Sequence, residues 1–150
     1  MANEVLLTGF YFGLRITGGS TNDAAFREVS GLNAEIGIEE VVSGGENRFK
    51  YRLPSTASFP NLVLKRGIVL SSSPLSKWCQ TTMDGGLAKP IQTKDVQLCL
   101  LDASGKTSMS WNFSKAWPVK WNISDLKSED NSVLIETIEL AYQFFQVGGR

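Results

Sequence analysis

Apolar and polar residues alternate with a period of two along most of the chain, in β-branched and aromatic segments separated by Gly, Asn, Asp and Ser clusters. The pattern predicts a mainly β domain. Strands are expected at Phe10 to Thr17, Arg27 to Val42, Asn47 to Leu53, Leu62 to Leu70, Ile91 to Leu101, Ser108 to Phe113, Ala116 to Ile123 and Ser132 to Val147. The two longest need a bend or a bulge. Gly18 to Asp23 and Lys127 to Asn131 are polar connections too short to link separate domains, so residues 1–150 read as a single domain without internal repeats.

The period changes once. Ser73 can cap a helix, Pro74 suits its first position, and Leu75, Trp78, Cys79 and Thr82 follow at helical spacing until Gly85 or Gly86 ends it. This apolar stripe is expected to pack on a sheet and brace the β core.

Between Ala34 and Leu53 the pattern predicts a hairpin, because Gly44 and Gly45 can both take the positive φ that a two-residue turn demands. Centring the turn there sets Glu39 opposite Lys50, Val41 opposite Arg48 and Gly37 opposite Arg52, with Ile36 facing Leu53 and Ile38 facing Tyr51 on the other side. One side of the ribbon is then charged and the other apolar. Two readings follow: a solvated sheet face, or an arm whose apolar side docks on a neighbouring subunit.

Composition narrows the function. The 150 residues carry fifteen Lys+Arg against fifteen Asp+Glu, so the chain lacks the basic excess of a non-specific nucleic-acid binder. It contains no histidine, which removes Ser-His and Cys-His nucleophile pairs and imidazole metal sites. Cys79 and Cys99 do not form a CxxC pattern and read as small buried thiols of a reducing compartment. No apolar run approaches the roughly 20 residues that span a bilayer, and the N-terminus does not read as a signal peptide, so synthesis in the cytoplasm without stable membrane insertion is expected.

No chemistry-bearing constellation emerges. Gly85-Gly86-Leu87-Ala88-Lys89-Pro90 lacks the spacing and the Ser/Thr of a P-loop. Glu39 and Glu40 are adjacent in a strand and point to opposite faces, and Glu136 and Glu139, three apart, also diverge. Arg48, Lys50 and Arg52 interleave with Phe49 and Tyr51, but basic and aromatic side chains fall on opposite faces, where a stacking platform needs them together. No cofactor, metal or enzymatic activity is expected. Trp111, Trp117 and Trp121 share a parity, so on an unbroken strand they lie on one face, either core or a platform for a sugar ring. The alternative reading of the chain is therefore a monomeric module that binds a carbohydrate or small ligand.

Several strings carry a resemblance. Phe26-Arg-Glu-Val-Ser-Gly-Leu32 with Glu35 is followed by Gly44-Gly45 with Asn47, by Leu53-Pro54, and by Asn61-Leu-Val-Leu-Lys-Arg-Gly67. Then come Trp78, Trp111, Ala116-Trp-Pro-Val-Lys-Trp121 and Ile135-Glu-Thr-Ile-Glu-Leu140. In this order, from about Phe10 to Phe144, the chain resembles the tail tube protein family of contractile phages and contractile injection systems. It departs at Ser76-Lys77, where members often carry a bulky aromatic, and in its last residues, Phe144 to Arg150.

The resemblance implies a structural role and a fold like the hemolysin-coregulated protein of type VI secretion, a β barrel or two packed antiparallel sheets with one flanking α-helix. Hexameric rings of this single tail-tube domain would stack into a hollow tube that sheath contraction drives through a target envelope. Implied partners are the chain itself, the contractile sheath protein, baseplate and tube-terminating proteins, and a lumenal cargo of protein effector or DNA. The particle would be a virion or an extracellular or cell-associated injection system. Pairing open strand edges around a closed ring would remove an aggregation hazard. The resemblance makes the hairpin the arm that reaches the adjacent ring, through Glu39, Glu40, Val42, Ser43, Gly44, Gly45, Glu46, Asn47, Arg48, Phe49, Lys50, Tyr51, Arg52 and Leu53.

Overall fold

In a computed structural model of the chain, residues 9–17, 22–42, 44–45, 50–67, 73–124 and 134–148 are described. The alternating segments form strands β1 (Tyr11–Ile16), β2 (Asn22–Ser30), β3 (Glu35–Val41), β4 (Tyr51–Ser58), β5 (Leu62–Gly67), β6 (Lys94–Leu101), β7 (Thr107–Ile123), β8 (Ile135–Ala141) and β9 (Phe144–Val147). Helix α1 (Pro74–Gly85) lies between β5 and β6 and continues into a 3-10 turn at Gly86–Ala88. The expected tail of the fifth strand at 68–70, the start of the arm's second strand at 47–49, the connection at 127–131 and most of that at 18–23 lie outside the described residues.

Strands pair in the order β6-β1-β2-β5-β8-β7, and β7 pairs back onto β6, which closes a six-stranded ring. The fold is the expected mainly β barrel with one helix. Closure follows from the length of β7, a single strand where two were expected. Its first half pairs with β6 and its second half with β8. Lys115, at φ 51°, bends the strand between the halves without interrupting it. The other two long segments do break: residues 31–34 separate β2 from β3, and Tyr142 and Gln143 separate β8 from β9.

Alternation drives the core. Leu62 and Leu64 of β5, Val96, Leu98 and Leu100 of β6, and Ile138 and Leu140 of β8 point inward, and their neighbours do not. Phe26, Leu14 and Phe113 fill the same interior. Helix α1 covers it with Leu75, Trp78 and Cys79, each buried. Ser73 caps the helix as expected, its Oγ accepting the Ser76 N–H at 3.0 Å, and Pro74 opens the first turn. Cys99 is only half-buried, and burial pushes its thiol up from the ordinary value.

Ring closure relocates the open edges. The long alternating strands were expected to end in open edges. Among the described residues, the edges without a strand partner are the outer side of β9 and both sides of the separate β3–β4 ribbon.

A candidate assembly surface

The same parity that buries Leu62 and Leu64 also buries Arg66, and the parity of Ile138 and Leu140 buries Glu136 on the paired strand. Arg66 Nε donates to Glu136 Oε1 at 2.8 Å, and Arg66 Nη2 donates to Ser73 Oγ at 2.9 Å and Ser76 Oγ at 3.1 Å. Glu136 Oε2 also accepts from Ser76 Oγ at 3.0 Å and Trp121 Nε1 at 2.9 Å. The guanidinium lies 4.8 Å from the centre of the Phe26 ring. A buried pair requires such extra partners to offset its desolvation. It pins the first turn of α1 to β5, β7 and β8. Ser76 is one of its ligands. This cluster was missed from the sequence, although an arginine and a glutamate at core-facing positions of two strands were visible there. Glu139 diverges from Glu136 as expected and accepts from Asn61 Nδ2 at 3.2 Å.

The three indoles do not share an exposed face. Trp111 lies opposite buried Leu98 and Trp121 opposite buried Ile138, while a register shift between Pro118 and Lys120, after the bend at Lys115, puts Trp117 out of phase with them. All three are half-buried against the core. This removes the sugar platform on which the alternative reading stood.

The chain leaves the barrel for the ribbon at Gly31. Its φ is 92°, and an added Cβ would run into the carbonyl oxygen of Asn61, so only glycine fits there. Beyond it, β3 and β4 pack on each other and make no substantial contact with any barrel strand. Ile36, Ile38, Val41, Val42, Tyr51 and Leu53 are all exposed, from 40% for Val41 to 69% for Val42.

The register of this ribbon corrects the sequence expectation. Val41 lies opposite Tyr51 rather than Arg48, Glu39 opposite Leu53, and Glu40 opposite Arg52. Gly45 takes φ 86°, but Gly44 is not in the positive region, so the two-residue turn that fixed the expected register does not form. The connection runs instead from 42 to 50. A displacement of three residues is odd and therefore exchanges faces. Lys50 pairs with Glu40, Nζ to Oε2 at 3.7 Å, rather than with Glu39. Neither face is purely charged or apolar: Ile38, Glu40, Val42 and Arg52 share one, and Glu39, Val41, Tyr51 and Leu53 the other.

Of the expected contact residues, Glu39 and Glu40 sit on β3, Val42, Gly44, Gly45 and Lys50 in the connection, and Tyr51, Arg52 and Leu53 on β4, all exposed. Ser43, Glu46, Asn47, Arg48 and Phe49 lie outside the described residues. The sequence reading missed Ile36 and Ile38, whose exposure becomes visible only once the ribbon is seen to stand off the barrel.

Among the described residues no group of three or more Cys, Asp or Glu side chains is placed to hold a metal, and no helix is long and apolar enough to cross a membrane.

The family model described as T4-like virus tail tube protein gp19 matches residues 8–146. No curated protein matches the chain. Among solved structures, a chain in the cryo-EM structure of the anti-feeding prophage baseplate, averaged with 6-fold symmetry, is 28% identical over 99% of this chain and 98% of its own, with a TM-score of 0.75. A chain of the sheath-tube complex of an extracellular contractile injection system, in its extended state, is 19% identical over 98% of this chain and 94% of its own, with a TM-score of 0.77. Hcp1 from Flavobacterium johnsoniae shares the fold at 17% identity and a TM-score of 0.52, over 93% of this chain and 96% of its own.

Proposed function

The chain belongs to the T4-like virus tail tube protein family, and from that premise we propose that it is the inner-tube subunit of a contractile tail or injection particle. Hexameric rings stack into a hollow tube, sheath contraction drives the tube through the target envelope, and the lumen conducts a protein or DNA cargo. The subunit is made in the cytoplasm and works in the assembled particle, against sheath, baseplate and tube-terminating proteins. Its function resides in surfaces and not in a catalytic centre.

The observation that carries this reading is the ribbon. A two-stranded hairpin is marginal alone in water, yet this one leaves six large apolar side chains uncovered. A second copy that covers it supplies the buried area it lacks. Contact between two different patches of identical subunits closes rings or propagates filaments. The arm, from Glu39 and Glu40 through the turn to Leu53, makes the contact between rings.

Negative-stain imaging and size-exclusion chromatography test this. The wild-type chain should form rings or tubes, alone or with baseplate components. Ile36→Ser with Ile38→Ser should keep the barrel's melting temperature and lose tubes. A persistent monomer at high concentration under both conditions would overturn the proposal.

A further inference from the structure

A cleft of about 100 Å³ opens where α1 ends, lined by Trp78, Thr82, Gly85, Lys89, Ile91 and Gln92. Two of its polar groups are satisfied within the subunit: Trp78 Nε1 donates to the Gln92 carbonyl at 3.0 Å, and Thr82 Oγ1 to the Trp78 carbonyl at 2.8 Å. The indole, Ile91 and the threonine methyl groups offer an occupant apolar contact. A cavity of about 150 Å³ holds benzene, so this one suits a branched aliphatic group rather than a ring. The mouth is positive. The stem of Lys89 lies across Gly85, where an added Cβ would stand 3.5 Å from the lysine Cβ, and Lys94 Nζ sits 5.5 Å from the centre of the Trp78 ring.

The arm presents the complement. On one face of β3, Glu39 and Val41 are two residues apart, about 7 Å, and both are exposed. Glu40 has Lys50, but among the described residues neither Glu39 nor Lys89 has an oppositely charged partner. We propose that this cleft receives the arm of a second copy from the adjacent ring, with Val41 in the cleft and Glu39 against Lys89. The inference rests on the tube reading and specifies which part of the subunit the arm meets. The opposite face of the arm, where Glu40 is already neutralised, fits the lysine-rimmed mouth less well. Because the cleft and the arm are different surfaces of one chain, the contact repeats from ring to ring without closing on itself.

Charge exchange and cross-linking test the contact in assembled wild-type-length protein. Glu39→Lys and Lys89→Glu should each raise the concentration needed for tubes about tenfold, and the two together should recover most of that loss. Both side chains are exposed, so folding should be unaffected. Oxidised tubes of the Val41→Cys, Ile91→Cys double variant should give reducible ladders longer than one ring, which neither single variant gives. Tubes that form normally but yield no ladder, a ladder that stops at one ring, or no recovery in the charge exchange would each overturn this contact and leave the tube reading intact. Failure of the wild-type chain to form tubes with or without baseplate components would overturn both.

Discussion

Arg66 and Glu136 face each other across β5 and β8 with both side chains turned into the barrel, Nε to Oε1 at 2.8 Å. The pair does the work that an apolar layer does elsewhere in the interior, and adds direction: its remaining polar atoms reach Ser73 and Ser76 in the first turn of α1.

Arg66→Met or Glu136→Leu alone should lower stability by about 3–5 kcal/mol, because each leaves a buried charge or its ligands without a partner. Arg66→Met with Glu136→Leu should cost less than either single change, though Trp121 Nε1 loses its acceptor. Denaturant titration of the three variants checks this. A double variant whose loss equals the sum of the two singles would show that they act independently.

Tyr142 is the reverse case. Its hydroxyl is buried and has no hydrogen-bond partner among the described residues, and its ring packs edge-on to Phe113 at 4.8 Å. Tyr142→Phe should be neutral or stabilising by up to about 1 kcal/mol. Burial also pushes the phenol up from its ordinary value. A raised folded-state pKa means that stability is fully present below about pH 10, the unfolded value, and is lost as the pH rises through the folded one. The wild type should therefore lose more stability than Tyr142→Phe between neutral pH and pH 11, as thermal melts at the two pH values would reveal.

Gly31→Ala should destabilise the chain by more than about 1–3 kcal/mol, since backbone strain at positive φ adds to the clash with Asn61. A melting temperature equal to wild type would mean that the elbow is differently shaped.

Gly45→Val separates folding from assembly. Its φ of 86° disfavours any side chain, but an added Cβ meets nothing within 4 Å, so the cost of about 1–2 kcal/mol stays in the turn. Barrel stability should be unchanged while tube yield falls. Equal yields in a sedimentation assay would sever the turn from stacking.

Much of the barrel was legible because period-two alternation and burial coincide. Leu62, Leu64, Ile138 and Leu140 report their faces directly, and Ser73-Pro74 announces α1. Alternation also encoded Arg66 and Glu136, but charge at those positions hides the signal unless parity is weighed above polarity. The join of Ser108 to Phe113 with Ala116 to Ile123 was hidden because Ser114-Lys115 looks like a turn, and only ring closure shows that the strand must continue through it. The ribbon's register failed for a related reason. Local turn chemistry suggested a tight reversal at Gly44-Gly45, whereas only Gly45 takes a positive φ and the pairing begins at Val41 and Tyr51, with no core face to fix the register.

The elbow at Gly31 divides the polypeptide into a part that must obey its own interior and a part on which that interior makes little claim. Substitutions along β3 and β4 can therefore accumulate with little penalty to the folded body, and in the proposed tube they are constrained by the surface that the ribbon meets. Two subunits with interchangeable barrels but divergent ribbons would sort into separate cylinders, or be admitted only at one end of a shared one, on the strength of that ribbon alone.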